Sequence, residues 1–97
     1  MPSYRISRKA RQDIEDIWVF GAREWSVEQA DRYYDTIFAA LARLTRFPEL
    51  GVALDRIRPG LRSHPVGSHA ILYRRRRDGR LEIVRIRHMR SNPANWP

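Results

Sequence analysis

The sequence predicts an α+β fold in which an antiparallel helix hairpin packs on a small, mainly antiparallel β-sheet, in the order β-α-α-β-β-β. Three observations point there. Two apolar stripes at helical spacing, Ala10 to Trp25 and Ala30 to Leu44, are separated by only the four residues Ser26 to Gln29. Two alternating runs, Ser68 to Arg76 and Leu81 to His88, flank Asp78-Gly79, a dipeptide that signals a hairpin strongly. A chain of 97 residues also has room for one core only, burying roughly 60–70% of the surface its unfolded form exposes. Positions 1–97 are therefore expected to form a single domain.

The first element is a short half-buried strand, Ser3 to Ser7, with Tyr4 and Ile6 on one side. Ser7 can cap the helix that follows, whose stripe is Ala10, Ile14, Ile17, Trp18, Gly21 and Trp25. Asp13, Glu15, Asp16, Arg11 and Arg23 fill the rest of its surface. Ser26-Val27-Glu28-Gln29 has the form of a capping box and starts a second helix. Its stripe is Ala30, Tyr33, Tyr34, Ile37, Leu41 and Leu44, and it should stop near Phe47, because Pro48 disfavours helical geometry at its predecessor. Two helices joined this closely fold back as an antiparallel hairpin. Pro48 to Gly60 has turn residues at both ends and no sustained period, so a loop with room for a short helical turn is expected. Three strands follow: Leu61 to Val66, Ser68 to Arg76 and Leu81 to His88.

If Asp78 and Gly79 form a two-residue type I′ turn, the register follows. Arg77 then faces Arg80, Arg75 faces Glu82, Tyr73 faces Val84, Ile71 faces Ile86 and His69 faces His88. One face is apolar, with Ile71, Tyr73, Val84 and Ile86 set against the helices. The other carries Leu72, Arg74, Arg76, Ile83, Arg85 and Arg87.

That second face matters because of the charge. Nineteen basic residues against eleven acidic give +8, and eighteen of the nineteen are arginine, Lys9 being the exception. Residues 1–50 hold eight of each sign, while residues 51–97 hold eleven basic and three acidic. The whole excess lies in the second half. There is no cysteine, which excludes a disulfide scaffold, a thiolate metal site and a cysteine nucleophile. No signal-peptide-like start and no long apolar run occur, so a cytoplasmic, membrane-free protein is expected.

The order of these features carries a family resemblance. It rests on Tyr4 to Ser7, the acidic-Ile-Trp run Asp13 to Trp18, Pro48-Glu49-Leu50-Gly51, Gly60-Leu61-Arg62, Gly67-Ser68-His69 to Leu72-Tyr73-Arg74, and Glu82-Ile83-Val84-Arg85-Ile86 closing on His88. In this order and over nearly the whole length, the chain resembles the ParE toxins of the ParE/RelE superfamily. The resemblance implies the toxic component of a type II toxin–antitoxin system, neutralised by a cognate ParD-type antitoxin. It further implies inhibition of DNA gyrase and a block to replication, without chemistry by the toxin itself. The alternative is the RelE branch of the fold, a ribosome-dependent mRNA endonuclease. A toxin-derived module that has lost activity is a third possibility.

An RNA-cutting toxin needs a base, a cation cluster and an acid close together. Arginines abound, but His88 has no tyrosine partner after Tyr73, and lysines are reduced to Lys9. No catalytic residue is assigned, and the protein is expected not to be an enzyme. No cofactor is expected. His64, His69 and His88 lack a nearby acid or cysteine to complete a metal shell, so no metal site is assigned either.

Two binding regions remain as expectations. The antitoxin is expected on Ile14, Trp18, Trp25, Tyr34 and Phe38 of the helix hairpin, where excess aromatic surface invites a partner helix. It is also expected on Leu72, Arg74, Arg85 and Arg87 of the sheet, where a basic face suits an acidic chain. Toxicity and target binding are placed on His88, Arg90 and Trp96, since in this family the residues after the last strand are tied to toxicity. Trp96 is either a target contact or a plug on the core. DNA contact is expected only through the antitoxin. The run Arg74 to Arg77 is left between a solvated face and a binding patch.

Overall fold

The computed structural model describes residues 4–96; Ser3 of the expected first strand and Pro97 of the tail lie outside the described residues. Strand β1 (Tyr4–Ile6) leads through Ser7 into helix α1 (Arg8–Glu24), and α2 (Val27–Arg46) follows. The sheet is completed by β2 (Val52–Ala53), β3 (Arg62–Val66), β4 (His69–Arg75) and β5 (Leu81–His88), and a single 3-10 turn at Pro93–Asn95 ends the fold. The five strands lie in the order β1-β5-β4-β3-β2. β1 runs parallel to β5 at the edge, and the remaining pairs are antiparallel.

The helices begin and end where their sequences specify. Ser7 Oγ accepts the Ala10 N–H at 3.0 Å and donates to the Val84 carbonyl at 2.8 Å, so one side chain both caps α1 and fastens it to β5. Ser26 Oγ accepts the Gln29 N–H at 3.0 Å. α2 stops at Arg46, and Phe47 turns extended ahead of Pro48. Ala10 and Ile14 of α1, and Ile37, Ala40, Leu41 and Leu44 of α2, bury against Val66, Ile71, Tyr73, Leu81, Ile83 and Ile86 of the sheet. Each such large side chain contributes roughly 1.5–3 kcal/mol by leaving water.

Between α2 and β3 the expected loop contains β2, whose two residues pair with Ser63 and Arg62 of β3. A two-residue strand is too short to leave a period in sequence. The preceding turn is fixed by Tyr73, whose hydroxyl donates to the Pro48 carbonyl at 2.7 Å and accepts the Gly51 N–H at 2.8 Å. A Cβ on Gly51 would lie 2.5 Å from that hydroxyl, which is why the turn ends in glycine. Arg62 adds a bond to the Gly51 carbonyl at 2.6 Å.

The hairpin corrects the expected register in part. Gly79 alone has positive φ (86°), and Asp78 does not, so the turn is not type I′. Arg76 pairs with Arg80 across a three-residue loop, Arg77 to Gly79. Tyr73 then faces Ile83, Arg74 faces Glu82 and Arg75 faces Leu81, each one residue off the expectation. A bulge opposite Leu72 and Tyr73 takes up Val84 as an extra residue. Beyond it Ile71 faces Ile86 and His69 faces His88, as expected. The faces change with the register: Ile83, expected on the basic side, is wholly buried in the core, and Val84 is only half-buried.

Candidate functional site

Helix α1 and helix α2 lie side by side with Gly21 against Ala30, and Trp18 Nε1–H donates to Asp31 Oδ1 at 2.8 Å between them. Two grooves of similar size flank this contact. The first, about 460 Å³, is lined by Ile6, Ile14, Trp18, Tyr34 and Phe38, with Arg11, Glu15 and Asp31 at its margin. Tyr34 and Phe38 stack at a centroid distance of 4.7 Å along one wall. Ile14 is buried as its floor, while Tyr34 keeps 43% of its surface exposed. Four of the five hairpin residues expected to hold a partner thus share one concave surface.

Trp25, the fifth, belongs to the second groove, of about 470 Å³, with Ile17, Phe20, Gly21, Ala30, Tyr33, His69 and His88. Phe20 and Trp25 meet edge to face at 5.8 Å and are 58% and 64% exposed, forming an apolar lip. The inner end is polar. Tyr33 Oη lies 3.0 Å from the Val66 carbonyl, 3.1 Å from the Ser68 N–H and 2.7 Å from His69 Nδ1. Every group is satisfied if the hydroxyl donates to Val66 and accepts from Ser68 and from a His69 Nδ1–H. Burial raises the affinity of the Tyr33 hydroxyl for its proton. Burial, then the neighbouring His88, lowers the pKa of His69, with Asp13 acting weakly the other way. The rings of His69 and His88 are 5.1 Å apart. Among the described residues no group of three metal-ligating side chains converges.

On the sheet, the arginines separate into different roles. Arg85 Nε and Nη2 bind both oxygens of Asp13 at 2.8 and 2.9 Å, and Asp13 also accepts the Ile86 N–H at 2.9 Å. Asp13 therefore closes the open edge of β5 beyond β1. The sequence placed Asp13 on the solvent side of α1 and Arg85 on a docking face; the structure turns them toward each other and leaves Arg85 little free surface. Leu72 has none, at 0% exposed, so it supports the sheet from within. Arg74 is exposed and paired to Glu82 at 2.7 Å. Arg87 is half-buried, and its Nε has no partner among the described residues.

After β5 the chain folds back on itself. The His88 carbonyl accepts from Ser91 N–H and from Ser91 Oγ–H, His88 Nδ1 accepts the Arg90 N–H at 3.0 Å, and Trp96 Nε1–H donates to Ser91 Oγ at 2.8 Å. His88, Arg90 and Trp96 are thus gathered at one end of the sheet by Ser91, a residue without any distinguishing sequence signal. Trp96 is half-buried, tied to the strand end and absent from the core cluster.

A family model described as "ParE toxin of type II toxin-antitoxin system, parDE" matches residues 4–93. A protein of Caulobacter vibrioides named Toxin ParE1 is 36% identical over 92 residues, covering 95% of this chain and 94% of its own length. A Mycobacterium tuberculosis protein of the same name is 37% identical over 89 residues, covering 92% and 91%. Among solved structures, a chain titled "Chromosomal ParDE TA system from P. aeruginosa" superposes with a TM-score of 0.77 at 21% identity, over 91% of this chain and 96% of that one. That likeness is one of fold.

Proposed function

The chain belongs to the ParE toxins of type II toxin–antitoxin systems, and from that premise we propose that it is a gyrase-directed toxin held inactive by a ParD-type antitoxin. The antitoxin's apolar helix occupies the groove of Trp18, Tyr34 and Phe38, and an acidic part of the same chain meets Arg87. The observation that carries the first contact is the groove itself: three aromatic side chains over a buried Ile14 floor, left uncovered by the described residues. The structural relative's title names a ParDE system, which supports a ParD-type partner here. For Arg87, the unpaired Nε supports a partner carboxylate, because a buried donor without an acceptor costs about 1–3 kcal/mol.

Action by binding rather than by chemistry is supported at His88. Its Nδ1 is taken by the Arg90 amide, and the hydroxyl nearest the histidine pair, Tyr33, is committed to Val66, Ser68 and His69. Target contact falls to the exposed Arg90 and the half-buried Trp96 at the end of the sheet. Supercoiling assays with purified gyrase test the proposal. The toxin should block supercoiling or accumulate linear plasmid, and prior mixing with antitoxin should restore activity. Cleavage of messages on ribosomes with supercoiling untouched would replace this reading with the endonuclease one.

A further inference from the structure

The run Arg74 to Arg77, with Arg80, is absorbed by neither the antitoxin groove nor the β5 end. It forms the tip of the β4–β5 hairpin. Pairing between β3 and β4 extends no further than Arg62 opposite Tyr73, so residues 74–80 run on without β3 beside them. Five arginines fall within these seven positions. Arg74 and Arg76 are neutralised by Glu82 and Asp78. Arg75, Arg77 and Arg80 have no acidic partner among the described residues; Arg80 reaches only the Tyr4 carbonyl, at 3.3 Å.

We propose that this hairpin tip binds the phosphate backbone of duplex DNA directly, through Arg75, Arg77 and Arg80. The proposal goes beyond the toxin reading and does not need it, since the duplex alone is the ligand. Three features favour nucleic acid over an acidic protein. A protein interface is anchored by buried apolar side chains, and from Arg74 to Arg80 there is none; the large exposed apolar residues lie on the helix hairpin (Val19, Phe20, Trp25, Val27, Tyr34), around β2 (Phe47, Leu50, Val52) and after β5 (Met89), none of them in the tip itself. Guanidinium forks match phosphate oxygens two at a time, and the tip is built from arginine alone. A two-stranded ribbon also fits the major groove of B-form DNA, whereas the major groove of duplex RNA is too deep and narrow for side chains to read.

Fluorescence anisotropy with a labelled 20-base-pair DNA of arbitrary sequence tests this on the full chain. With three phosphates neutralised, the slope of log affinity on log salt is about −2.7, so affinity falls roughly 40-fold between 50 and 200 mM salt. Arg75→Ser/Arg77→Ser should reduce that loss to roughly three- to fourfold. Arg75→Lys/Arg77→Lys, which keeps the charges, should retain the steep slope. Arg56→Ser/Arg58→Ser, which removes the same charge from the exposed β2–β3 loop, should leave wild-type binding intact. The proposal fails if no binding occurs at 50 mM, or if the loop variant loses as much as the tip variant. It also fails if RNA of the same sequence binds as tightly. Displacement of the DNA by polyglutamate at equal charge would assign the tip to an acidic protein instead.

Discussion

His69 sits where β4 meets α2 and β5, and its surroundings fix its charge. Tyr33 holds its Nδ1, His88 lies against its ring, and the site is partly withdrawn from water. Burial first and the neighbouring His88 second favour the neutral imidazole in the fold, against Asp13, so the pKa falls below its ordinary value of about 6.5. As pH drops through about 6.5 the unfolded chain takes up a proton that the folded one refuses, and stability is lost on the acid side. His64 adds to the effect in the same direction, lowered by burial and by Arg43. Thermal melts from pH 7 to pH 5 should therefore show a falling Tm, and His69→Gln should make the fall shallower. An equally steep fall in that variant would mean that His69 carries no part of it. The sequence placed His69 opposite His88 correctly, because the one-residue shift at the loop is cancelled by the bulge before that pair is reached. It placed Tyr33 on the helix stripe without its partners, because a hydroxyl reaching across to another element leaves no periodic signal.

Helix α1 is joined to β5 by more than apolar contact. Ser7 binds the bulged Val84, and Asp13 binds Arg85 and Ile86 just beyond it. Asp13 and Arg85 are both largely buried, at 14% and 20% side-chain exposure. Asp13→Ala would leave a guanidinium and a strand-edge N–H without their acceptor, at a cost of about 2–3 kcal/mol. Urea denaturation should show that loss, while Glu15→Ala on the neighbouring exposed position should change little. Equal effects would reduce Asp13 to a surface charge. The same region explains why the hairpin was half legible. A glycine after aspartate marks a turn, but both two- and three-residue loops place glycine at positive φ. The loop adds one residue to β4's side of the register and the bulge at Val84 compensates on β5's, so the pairs beyond the bulge match the parity argument and those before it do not. Capping serines and Pro48 were legible because each acts within a few residues of itself.

For the whole molecule, the charge is sorted by element. Arg85 is internal, Arg74 and Arg76 are paired at the hairpin, and Arg75, Arg77 and Arg80 have no acidic partner among the described residues. The grooves themselves were legible as apolar excess on the helices, yet their division was not: spacing along α1 put Trp18 and Trp25 on one stripe, and the helix crossing at Gly21 and Ala30 sends them to different sides. A partner that fills the first groove gains affinity from apolar contact, which salt does not screen. The net +8 acts earlier, on encounter. Attraction over distances beyond the roughly 8–10 Å screening length is removed by salt, whereas contacts already dry persist. Stopped-flow association with the antitoxin should thus slow about tenfold or more between 50 and 500 mM salt, with dissociation nearly constant. Tyr34→Glu should do the reverse, speeding dissociation through a charge placed in the apolar wall while leaving the salt dependence of association in place. If salt instead acted on dissociation alone, the antitoxin would be held chiefly by ion pairs, and the docking surface would have to move from the aromatic groove to the arginines of the sheet.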